Sequence, residues 1–113
     1  MAKAYLRGSC GFREAEAFLR AEIPECGIAC ELSDQTSHRI GDAEVSVLVF
    51  EKYFMRAGNY ASLTVVLSGR DGDLGVDLIG AGARQGVLSL TTWGTEESFV
   101  ASAEQVLRRH GFH

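Results

Sequence analysis

Apolar residues recur along this chain with two different periods, and the change from one to the other lays out the elements. Ala2 to Arg7 reads as a short strand. Phe12, Ala15, Leu19 and Ile23, with Phe18 beside them, then recur at helical spacing as one stripe, and Ser9 is placed to cap it. Glu16 and Arg20 stand four apart on the opposite side, and Pro24 and Gly27 end the helix. Beyond them the period falls to two. Ile28, Cys30 and Leu32 alternate with Ala29, Glu31 and Ser33, a strand with one buried face. The polar stretch from Asp34 to Asp42, with Gly41 in it, is expected to be a turn.

The strongest strand signal is Ala43 to Tyr53. Val45, Val47 and Val49 share one face, expected to point inward, and Ser46, Leu48 and Phe50 share the other. Ala57-Gly58-Asn59 breaks the run. Tyr60 to Ser68 resumes it, with Ala61, Leu63, Val65 and Leu67 inward. Arg70-Asp71-Gly72-Asp73 predicts a hairpin, because Asp-Gly supplies the positive φ that tight hairpins need. Leu74, Val76 and Leu78 form the next strand and Val87 to Trp93 another, joined by the glycine-rich stretch Gly80 to Gly86. Thr95 opens a final helix. Phe99, Ala103, Val106, Leu107 and His110 make its inner stripe, acids stand at its start and bases at its end, and Gly111 follows it. His110 and His113 are expected at a fraying terminus.

Consecutive strands with short connections make a meander. The expected class is α+β: one domain over residues 1–113, an antiparallel sheet of five or six strands, and two helices on one face. That face should hold Val47, Leu63, Val65 and Val76, with one helix following the first strand and the other C-terminal.

Composition narrows the function without assigning one. The chain is 46% hydrophobic with one proline and a net charge of −4, which describes a folded globule rather than a disordered one. Eleven basic residues scattered among fifteen acidic ones argue against nucleic-acid binding, which needs a basic stripe to displace phosphate counterions. No apolar run approaches the roughly 18 residues of a membrane span. The first ten residues carry no apolar leader and the cysteine count is odd, so free thiols in the cytoplasm are expected.

Motif chemistry is sparse. Gly80, Gly82 and Gly86 lack the glycine that a dinucleotide fingerprint needs where Gln85 stands, and a strand rather than a helix follows. Asp71, Asp73 and Asp77 lack the remaining ligands of a calcium loop. Cys26, Cys30 and His38 lack zinc-ligand spacing, so neither a metal nor a cofactor is expected. Glu51 continues the face of Val45, Val47 and Val49 and is expected half-buried beside Lys52 or Arg56. Glu51, Tyr53, Arg56, Arg84 and Trp93 stand at strand ends beside irregular loops and are expected to gather at one end of the sheet.

Three blocks carry a family resemblance. They are Phe50-Glu51-Lys52-Tyr53 with Gly58-Asn59-Tyr60-Ala61-Ser62-Leu63, then Gly80 to Gly86, then Trp93-Gly94-Thr95-Glu96-Glu97-Ser98-Phe99. Their order and spacing resemble a small bacterial family of single-domain proteins of unknown function, and the topology is similar to a reduced helix-grip fold. The resemblance implies a bacterial cytosolic protein and no catalytic activity. It marks Glu51, Tyr53, Asn59, Arg84 and Gln85 of the glycine loop, and Trp93 as candidates for a ligand or interaction surface, which Arg56 joins by its place at a strand end.

Two functions compete on these grounds. One is a binding module that pairs with itself; the other is a small ligand carrier or enzyme with a groove between the sheet and the last helix. Two helices cover only one face of a sheet of this width. Alternation sends Leu48, Phe50, Tyr60, Val66 and Ile79 to the face left bare, where exposed apolar side chains favour a symmetric homodimer. On that expectation Phe50→Glu yields a folded monomer.

Overall fold

The computed structural model describes residues 2–55, 58–82 and 94–113. β1 (Ala2–Gly8) leads into helix α1 (Phe12–Glu22) and a 3-10 turn (Ile23–Cys26). β2 (Cys30–Ile40), β3 (Ala43–Phe54), β4 (Asn59–Arg70) and β5 (Asp73–Gly82) follow as a meander, and helix α2 (Thr95–Arg109) comes last. All pairings are antiparallel in the order β1-β5-β4-β3-β2. The first strand therefore lies beside β5, the last of the described strands. The further strand expected over residues 87–93 lies outside the described residues.

Both helices pack on one face of the sheet, as the class predicted. Leu6, Leu48, Phe50, Leu63, Val65, Leu67, Leu74, Val76 and Leu78 meet Phe12, Ala15, Phe18 and Leu19 of α1 and Phe99, Ala103, Val106 and Leu107 of α2 in one buried cluster. The facing of β3 is a correction. Leu48 and Phe50 are fully buried beneath the helices, and Val45, Val47 and Val49 are the side chains turned away. Register fixes this: Phe50 pairs with Leu63 and Leu48 with Val65, and directly opposed residues share a face.

β2 is also longer than expected. The polar stretch read as a turn is strand to Ile40, and only Gly41 and Asp42 turn the chain. A bulge between Leu32 and Asp34 shifts the alternation, so that Leu32 and Gln35 both lie on the helix side. Ile28, expected to be buried in a strand, is fully exposed.

Helix α1 starts at Gly11, not Ser9, and takes its cap from across the molecule. The Asp-Gly hairpin between β4 and β5 forms as predicted, with Gly72 at φ 88°. The Phe12 amide donates to Asp71 Oδ1 in this hairpin at 2.8 Å, and the Gly72 amide donates to the Cys10 carbonyl at 3.1 Å. Caps of this kind contribute about 1 kcal/mol. Asp71→Ala should lower stability by that amount in urea unfolding and speed hydrogen exchange at the Phe12 amide. Unchanged exchange at Phe12 would show that the helix start is held by other bonds.

The Gly80 end of the glycine-rich stretch is strand, not loop. A Cβ on Gly80 would lie 2.8 Å from the Glu96 carbonyl oxygen and 2.9 Å from Val100. This glycine serves the close approach of α2 to β5. The chain's end is docked rather than frayed: Phe112 is buried, and Arg7 and His113 exchange backbone hydrogen bonds of 2.8 and 2.9 Å.

Candidate functional site

The face of the sheet turned away from the helices is the one that neither α1 nor α2 covers. Successive rows across the strands can be followed through the pairings. The first runs Lys3, Ile79, Thr64, Val49, Asp34. The next runs Tyr5, Asp77, Val66, Val47, Thr36, and the third Arg7, Gly75, Ser68, Val45, His38. Val45, Val47, Val49, Val66 and Ile79 thus form one apolar stripe over β3, β4 and β5, each half-buried by its neighbours alone. Tyr5 and Tyr60 stand more than half exposed at its margins. Tyr60 meets Tyr53 edge to face, 5.1 Å between centroids.

Charges rim this stripe. Lys3 and Arg7 lie on the β1 edge, Asp34 and His38 on the β2 edge, and Asp77 sits within the face. Arg7 is ion-paired with Asp73, while Glu51 accepts the Ser33 hydroxyl at 2.7 Å and is exposed. Glu51 is therefore not the half-buried carboxylate beside Lys52 that was expected. The Lys52 amine is on the opposite face, donating to the Cys26 carbonyl at 3.0 Å and lying 4.7 Å from the centre of the Phe54 ring.

The sequence candidates divide across the sheet. Glu51, Tyr53, Tyr60, Val66 and Ile79 are on the open face. Leu48 and Phe50, expected there, are core. Asn59 pairs with Phe54 on the helix side, and its Oδ1 is buried with no hydrogen-bond partner among the described residues. Arg56, Arg84, Gln85 and Trp93 lie outside the described residues; of the expected gathering, Glu51 and Tyr53 are described and stand together at one sheet end. The residues missed were Val45, Val47 and Val49, with Lys3, Tyr5 and Asp77. A signal for the valines was present: Glu51 and Tyr53 continue their face, as a solvent side would.

Burial raises the thiols of Cys10, Cys26 and Cys30, the last to about 11, so all three favour the protonated form that is a poor nucleophile. Cys30 and His38 are on opposite faces of β2. Among the described residues no three or more His, Cys, Asp or Glu gather to hold a metal. A groove of about 470 Å³ runs between the end of α1 and α2, lined by Glu22, Cys26, Gln105 and Arg109 among others. The hydrogen bond with His110, with Arg109 beside it, holds the Glu22 carboxyl below the usual carboxylate range. His110 also stacks on Phe18 at 3.8 Å between centroids. These contacts tie the two helices together. Among the described residues no helix is long and apolar enough to cross a membrane.

A family of unknown function (DUF6054) matches residues 1–111. No curated protein and no solved structure matches the chain.

Proposed function

We propose that this chain, which belongs to the DUF6054 family of unknown function, is a non-catalytic interaction module that pairs with a second copy of itself through its open sheet face. The observation that carries the reading is the stripe of Val45, Val47, Val49, Val66 and Ile79, central to the sheet and uncovered by either helix. Five strands spaced about 4.8 Å apart, over some nine residues of length, offer roughly 700 Å² per copy. A standard interface takes about 800 Å² from each partner, so the face is of the right order. Its composition also fits, with apolar residues at the centre and, apart from Asp77 within the face, the charges at the rim.

A ligand groove between sheet and α2 has less in its favour. Phe50, Leu63, Val65, Phe99, Ala103 and Leu107 fill that space as core. The half-buried free thiols suit a reducing compartment, and the proposal places the protein in the cytoplasm of a bacterium, as the resemblance implies.

Sedimentation of the wild-type chain at micromolar concentration should give a dimer. Val66→Glu, at the centre of the face, should give a monomer with unchanged circular dichroism, weakening association by at least about a hundredfold. A wild-type monomer at 100 µM (~10⁻⁴ M, a free energy of only about −5.5 kcal/mol) would overturn the proposal.

A further inference from the structure

The self-association reading leaves open how the two copies are turned, and the charges on the face decide it. Two sheets packed face to face by a two-fold axis lying between them have two simple arrangements. An axis running across the strands sets each strand against its own copy. Centred on the row of Val66 and Val47, where the apolar stripe is centred, it places Asp77 on Asp77 and Lys3 on Arg7 of the second copy. Both contacts are between like charges, one of them inside the apolar patch, and they outweigh the Asp34 carboxylate set on the His38 imidazole at the other rim.

An axis running along the strands over β4 keeps each row facing its own row, reversed. β1 then lies on β2 of the second copy and β5 on β3. Lys3 meets Asp34, Ile79 meets Val49, and Thr64 meets itself. Tyr5 meets Thr36 and Val66 meets itself, while Asp77 falls against Val47 with no carboxylate opposite; in the third row Arg7, already ion-paired with Asp73, falls against His38. We infer that the second copy docks by this strand-parallel two-fold, with Lys3 of each protomer paired to Asp34 of the other at both rims. The inference rests on the self-association reading but is separable from it. It also uses the whole face, since β4 is the middle strand and an axis over it opposes all five strands of both copies.

Lys3 and Asp34 are both exposed, but Asp34 Oδ1 also accepts the Gln35 amide at 2.8 Å beside the bulge, so circular dichroism of both variants checks that the fold is kept. Lys3→Glu should weaken the dimer about tenfold by setting Glu on Asp34, and Asp34→Lys should weaken it similarly by setting Lys on Lys3. An equimolar mixture of the two variants should form heterodimers of wild-type affinity or better, because both rim contacts are then between opposite charges. Native mass spectrometry separates the species by mass. Homodimers and heterodimers of equal affinity, or a Lys3→Glu dimer tighter than wild type, would overturn the strand-parallel axis while leaving self-association standing. Absence of any wild-type dimer would remove both.

Discussion

Phe50→Ala should cost about 3–5 kcal/mol of unfolding free energy, and Phe50→Glu should leave no folded chain. Phe50 is fully buried, paired with Leu63 on one side and Leu32 on the other beneath the helices. Removing its ring forfeits the transfer free energy of the side chain and leaves a cavity that the rigid pairing of β2, β3 and β4 cannot close. A domain of this size has about 5–15 kcal/mol in total. The alanine variant should therefore be marginal, and a buried unpaired carboxylate at this position exceeds what is left. Urea unfolding followed by circular dichroism measures the first; far-UV and near-UV spectra report the second. The contrast with Val66→Glu, one strand away on the other face, makes the experiment decisive about facing. A folded Phe50→Glu chain would mean that β3 presents its other side to the helices.

Phe112→Ala should lower stability by about 3 kcal/mol, with a fall in Tm of roughly 10–15 °C. Gly111, at φ 88°, turns the chain out of α2, and the Phe112 amide donates back to the Leu107 carbonyl at 3.0 Å. The ring is thereby set edge-on to Phe18, 6.0 Å between centroids, and flat over Gly8, where a Cβ would lie 2.5 Å from it. The backbone bonds between Arg7 and His113 add a short partner to the outer edge of β1. Gly8→Val should act through the same contact from the other side, displacing the ring. The two substitutions touch one packing unit, so the double variant should lose much less than the sum. Thermal scans of the four chains give that comparison. A fall of less than 3 °C for Phe112→Ala, where about 1 kcal/mol would already move Tm by some 4 °C, would show that the docked end contributes nothing to the fold.

Local pattern alone carried the element order and both helix stripes. Phe12, Ala15, Leu19 and Ile23 are buried as their spacing required, and so are Phe99, Ala103, Val106 and Leu107, whereas His110, read into the same stripe, is exposed and stacks on Phe18. The Asp71-Gly72 hairpin was legible for the same reason, because each depends on the backbone preferences and periodicity of a few adjacent residues. The candidate surface was legible in kind but not in membership. That two helices leave one sheet face open follows from counting elements; which side chains of β3 lie there does not.

The ambiguity has a definite cause. Val45, Val47 and Val49 on one side of β3 and Leu48 and Phe50 on the other are all apolar, and a period of two separates faces without saying which is inside. Tertiary packing decided it, through the register that sets Phe50 beside Leu63 and gives the larger side chains to the helix side. The same holds for Asp34 to Ile40, too polar to read as strand yet held there by the ladder to β3. It holds again for the Asp71 cap on α1 and for Phe112 over Gly8, contacts between residues 59 apart and about a hundred apart in the chain. By itself the sequence determined the order of the described helices and strands and where most of them turn, since those are short-range energies. Facing, strand length at the edge and the docking of the chain's end were settled only by the folded whole, because they depend on which distant residues come to stand opposite.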